Sequence, residues 1–103
     1  MKFAQILLFL IVILPFAGIN AQEMGKISGT VVSPSNAVMD RVTIMIIGTD
    51  KQSSTNNDGL FLITNIAPGE YTLEASATGF ATWRKTIQVQ ASQTTIVDIT
   101  LYE

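Results

Sequence analysis

From Lys26 onward, apolar and polar residues alternate along most of this chain with a period of two, the signature of half-buried β-strands. The clearest case is Gly69–Thr78, where Tyr71, Leu73, Ala75 and Ala77 interleave with Thr72, Glu74, Ser76 and Thr78. In Lys26–Ser33, Ile27, Gly29 and Val31 share one face; Gly29 inside a strand predicts a close backbone approach or a bulge. Arg41–Ile47 is apolar on both faces, with Val42, Ile44 and Ile46 opposite Thr43, Met45 and Ile47, as expected of a central or externally covered strand. Gln52–Thr55 is short and polar, which suits an edge. Leu60–Thr64 again has apolar residues on both sides. Thr82–Gln90 puts Trp83, Lys85, Ile87 and Val89 in one register. Thr94–Tyr102 turns Val97, Ile99 and Leu101 inward and Ile96, Asp98 and Thr100 outward.

The breaks carry turn chemistry. Asn56, Asn57, Asp58 and Gly59 combine residues that tolerate left-handed backbone with one that adopts it freely. Ala67-Pro68-Gly69 is a Pro-Gly turn, and Ser33–Asn36, Gly48–Lys51, Gly79 and Ala91–Gln93 close the other gaps. Seven short strands, regular turns and no convincing helix after residue 21 predict an all-β fold. We expect a seven-stranded antiparallel Greek-key β-sandwich, with a small closed barrel as the competing geometry.

The N-terminus breaks the alternation. Lys2 precedes the unbroken apolar run Ile6–Leu14, Pro15 interrupts it, and the small residues Ala17, Gly18 and Ala21 follow. That layout predicts a secretory signal peptide over 1–21, cleaved after Ala21, and one domain over 22–103. An uncleaved anchor is the alternative, but the run is short for a span of roughly 20 residues. The expected location is outside the cytoplasm. Removing 1–21 takes away Lys2 and no acidic residue, so five positive charges face eight negative ones, a net charge of −3. Arg84-Lys85 is the lone basic pair, which argues against nucleic acid as a partner. With no Cys there is no disulfide framework, so a small core must hold the fold, and docking on something larger is expected.

Catalytic chemistry has little to work with. The sequence has no His and no Cys, which removes the commonest general base, the thiolate nucleophile and the usual zinc ligands. No catalytic residue, cofactor or metal is therefore assigned. The oxygen-rich run Ser54-x-Asn56-x-Asp58-Gly59, with Asp50 nearby, loosely echoes a calcium loop. Asn65 stands where that loop needs a bidentate Glu, so a plain turn is the favoured reading. Trp83, Tyr71 and Tyr102 offer a carbohydrate platform or, by default, packing. Met45, Ile47, Leu60 and Leu62, with Trp83, are candidates for an apolar docking surface, or else belong to the core.

Several motifs together resemble the carboxypeptidase regulatory-like, transthyretin-like β-sandwich domain. They are I-S-G-T-V at 27–31, V-T-I-x-I-x-G-T at 42–49, T-N-N-D-G-L-F at 55–61, I-A-P-G-E-Y-T-L at 66–73 and the Gly79-Phe80 pair. The resemblance covers 25–102 and implies structural roles in turns and core for Gly29, Gly48, Asp58, Gly59, Phe61, Pro68, Gly69, Tyr71 and Gly79. It departs from the common pattern at Val38–Arg41 and at Asn56. Such a domain behind a signal peptide is similar to the periplasmic N-terminal extension of TonB-dependent outer-membrane receptors. The resemblance implies a non-catalytic interaction module with a protein partner in the cell envelope. No plug or run of barrel strands precedes Glu103, so a free-standing module or the front of a receptor is expected. The alternative is an accessory or carbohydrate-binding domain of a secreted hydrolase or surface protein.

Overall fold

The computed structural model describes residues 23–103; the expected signal peptide lies outside them. Seven strands follow one another: β1 (Gly25–Val32), β2 (Thr43–Ile46), β3 (Gln52–Ser54), β4 (Leu60–Ile66), β5 (Gly69–Ser76), β6 (Trp83–Val89) and β7 (Thr94–Thr100). They form two sheets. Sheet A has the order β4-β1-β7 and sheet B the order β3-β2-β5-β6. The expected two-sheet β-sandwich is what forms.

Alternation decides the core. The inward residues of both sheets meet in one cluster built largely of Ile and Val, including Ile27, Val31, Ile44, Ile46, Phe61, Ile63, Leu73, Ile87, Val97 and Ile99. Each fully buried aliphatic side chain contributes roughly 2 kcal/mol by leaving water. β-branched side chains suit this pleated, half-buried surface.

One part of the expected topology is corrected. The sandwich is not wholly antiparallel: β1 pairs with β7 in parallel, from Lys26 opposite Thr94 to Val32 opposite Thr100. The other ladders, β1–β4, β2–β3, β2–β5 and β5–β6, join strands an odd number of steps apart and are antiparallel. β1 and β7 are six steps apart and run the same way. Their pairing arises because Ala91–Gln93 does not form a hairpin within sheet B. It carries the chain across the corner to the free side of β1, where Lys26 N donates to Gln93 O at 3.0 Å. Thr95 Oγ1 donates back to Gln88 O at 2.8 Å and ties that corner to β6.

β2 is also shorter than the expected Arg41–Ile47. Arg41 adopts φ 58°, outside strand geometry, and Thr49 turns back onto Ile46 O with both its amide and its hydroxyl. Thr55 is the buried polar residue that holds this region. Its hydroxyl accepts from Val42 N at 2.9 Å and donates to Met39 O at 2.7 Å.

Gly29 is dictated by the β1–β7 pairing. A Cβ there would sit 1.7 Å from Val97 O and 2.7 Å from Val97 C, both immovable backbone. At Gly48, by contrast, a Cβ would meet open space and only the left-handed backbone, φ 85°, opposes a side chain.

Two predictions follow from this packing, both read by urea denaturation. Gly29→Ala should destabilise by about 3 kcal/mol or more, since backbone must separate, whereas Gly48→Ala should cost only about 1–2 kcal/mol. Thr55→Val strands the buried Val42 N–H and leaves the part-buried Met39 C=O without its donor, and should cost roughly 2–3 kcal/mol, while Thr55→Ser should cost about 1 kcal/mol.

Candidate functional site

The outer faces of the two sheets differ in chemistry. On sheet B the outward rows are mostly polar: Thr43 lies opposite Ser76, Thr72 opposite Thr86, and Glu70 opposite Gln88. Arg84 Nε reaches Glu74 Oε2 at 2.7 Å across this face. Arg84 is exposed while the Glu74 side chain is mostly covered, and a pair open to solvent on one side contributes about 1 kcal/mol. On sheet A the outward rows are Leu62–Ser28–Ile96 and Leu60–Thr30–Asp98. Leu60, Leu62 and Ile96 are 48, 52 and 64% exposed, high for large aliphatic side chains on one face. They border an open depression of about 630 Å³, with Ser53, Ser54 and Asn56 on its far rim.

Local chemistry positions that rim. Asn56 Oδ1 accepts from Asp58 N at 2.9 Å and from Leu60 N at 3.0 Å, an Asx turn that starts β4 in the correct register. Gly59, with φ 75°, lets the turn press against β1, and its carbonyl accepts from Val31 N at 2.8 Å. A Cβ on Gly59 would lie 2.8 Å from Val31 O.

The residues singled out as a docking surface do not form one surface. Leu60 and Leu62 lie on the outer face of sheet A; Met45 lies on β2 of sheet B, and Ile47 lies just beyond the end of that strand. Met45 is half-buried beside Glu74, and Ile47 follows β2 with its amide on Thr72 O. Trp83 is half-buried and packs against the core from the inner face of sheet B, opposite Ala75. The outward residue that completes the patch is Ile96. Its outward register was legible from the alternation, but its neighbourhood with Leu62 depends on the β4-β1-β7 order.

The turn and core residues are distributed through the sandwich. Phe61 is buried on β4, Gly48 and Gly79 occupy left-handed turns, and Gly69 opens β5. Asp58 is exposed in the Asn56–Gly59 turn, and Pro68 is half-buried between β4 and β5. Tyr71 is half-buried and its hydroxyl donates to Ala67 O at 2.6 Å, bracing that same turn. Tyr71 and Trp83 are thus engaged in packing, while Tyr102 is exposed beyond β7. Among the described residues no three acidic, His or Cys side chains gather to hold a metal.

A family model for the carboxypeptidase regulatory-like domain matches residues 26–102. The chain belongs to that family. No curated protein matches it by sequence. Among solved structures it is similar to the TIE protein of Bacillus anthracis, with TM-score 0.68 and 14% identity, covering 79% of this chain and 17% of that one. A chain of a type II cohesin–X-dockerin complex from Acetivibrio cellulolyticus gives 0.64 and 22%, covering 75% and 56%. GBS52, the minor pilin of Streptococcus agalactiae, gives 0.63 and 15%, covering 80% and 45%. This chain therefore spans at most just over half of each of these three, and at such identities the likeness is one of fold.

With Asn56 Oδ1 already engaged by two amides and no acidic cluster beside it, millimolar calcium should leave the melting temperature unchanged. A thermal melt followed by circular dichroism, with and without the ion, checks this.

Proposed function

We propose that this carboxypeptidase regulatory-like domain is an exported, non-catalytic interaction module that acts by contact in the cell envelope. The observation that carries the reading is the apolar outer face of sheet A. Leu60, Leu62 and Ile96 remain exposed on a domain that already has a complete core on the other side of the same sheet. Exposed aliphatic side chains gathered on one sheet face, here flanking the small residues Ser28 and Thr30, favour a contact role. The absence of His and Cys from the sequence supports a role without catalysis. The signal-peptide layout of residues 1–21 supports export. Together with the family, these features favour a periplasmic module resembling the N-terminal extension of a TonB-dependent nutrient-uptake receptor. The packing of Trp83 against the core weakens the alternative sugar-binding reading.

Expression in a didermal host, followed by fractionation and mass measurement, tests export. The expected product begins at Gln22 and fractionates with periplasm or outer membrane; a cytoplasmic product retaining residues 1–21 would overturn the reading. A photo-cross-linking residue at position 62, used in the native cell, should give a discrete adduct with an envelope protein. The same residue at position 88, on the polar face of sheet B, should give none.

A further inference from the structure

Sheet A has apolar side chains on both faces, and among the described residues nothing covers the outer one. Its central strand presents the small hydroxyl residues Ser28 and Thr30 there, flanked by Leu60 and Leu62 on β4 and by Ile96 and Asp98 on β7. A low middle between higher flanks makes a trough along β1, and the depression continues past β4 to Ser53 and Ser54 on β3 and to Asn56. Its two flanks are about 10 Å apart, two strand spacings.

Three physical features select the occupant. The first is area. Three strands of this length offer a flat face of roughly 300 Å². A stable association of two copies needs about 800 Å² from each, so a second copy laid face to face is undersized for it. The second is hydrogen bonding. The hydroxyls of Ser28, Thr30, Ser53 and Ser54 line the depression and, among the described residues, make no side-chain hydrogen bond. A helix satisfies its own backbone and would cover these groups unpaired. An extended segment brings free N–H and C=O groups that need such partners. The third is charge: Asp98 is the one charged side chain lining the depression.

Resting on the interaction-module reading, we propose that this depression seats an extended segment of a partner protein. Alternate side chains of the segment, apolar, pack on Leu60, Leu62 and Ile96, and a Lys or Arg of the segment meets Asp98. The spacing fits, because alternate residues of an extended chain lie about 6.7 Å apart, the same repeat that separates Leu60 from Leu62 along β4.

The test is selection of a displayed library of random peptides of about eight residues, the length of β1, on the exported protein. The expected binders alternate apolar residues and carry Lys or Arg. Their binding should weaken about tenfold or more with Leu62→Asp and severalfold with Asp98→Asn. On titration, the amide resonances of residues 28–30, 60–62 and 96–98 should shift. Leu62 is half exposed, so its replacement spares the core; if Leu62→Asp fails to melt like the parent protein, Leu62→Thr replaces it. The proposal is overturned if no binder emerges, if binding ignores both substitutions, if the bound peptides are acidic, or if they are helical. An envelope adduct formed through another surface would leave the interaction-module reading intact while removing this site.

Discussion

β1 holds sheet A together, and it can do so because one of its positions lacks a side chain. At Gly29 the backbone of β7 comes so close that a Cβ would meet Val97 O at 1.7 Å. The parallel ladder from Lys26–Thr94 to Val32–Thr100 depends on that approach, and so does the placement of Val97 and Ile99 over the core. Without β7 the inner face of sheet A would lose one of its three strands. Phe61, whose ring tip lies 3.0 Å from where the Gly29 Cβ would be, packs into the same vacancy. A single absent methyl thus aligns the strand pairing, the aromatic packing and the closure of the sandwich corner.

A second constraint works at the opposite side of the sandwich. The stretch between β1 and β2 has to cross from sheet A to sheet B, and a crossing segment leaves backbone groups without ladder partners. Thr55 supplies two of those partners from one hydroxyl, and its own amide and carbonyl bond Val42 O and Arg41 N. The turn that follows, braced by Asn56 and Gly59, then delivers β4 to β1. The outward row of β4 is therefore positioned by buried and turn chemistry that never touches it. This is how a structural framework presents Leu60 and Leu62 beside Ile96 on one accessible face.

The strands and turns were legible in the chain itself. Period-two alternation over Gly69–Thr78 and Thr94–Tyr102 foretells β5 and β7, whose ends the structure sets at Ser76 and Thr100, and Asn-Asn-Asp-Gly and Pro-Gly mark reversals whose backbone needs those residues. Gly29 was legible as a close backbone approach or a bulge, the usual roles of a glycine inside an apolar strand, and the structure makes it a close approach. Ile96 was legible as outward, since it is out of phase with Val97 and Ile99. These are local properties, set by side-chain period and by which residues tolerate which φ and ψ.

Partner choice was not local. Alternation states which side chains share a face, but not which strands lie side by side. It could not show that β7 crosses to sheet A and runs parallel to β1, because that follows from the number of reversals between them and from which sheet edge is free. It could not separate Met45 and Ile47 from Leu60 and Leu62 either. All four are apolar residues out of phase with the core, and only the assignment of β2 and β4 to different sheets sets Met45, with Ile47 just beyond its strand, apart from Leu60 and Leu62. The end of β2 at Ile46 likewise depends on Thr49 folding back on it. Local chemistry determined where this chain extends and where it bends; the order of strands within the two sheets decided what each outer face became.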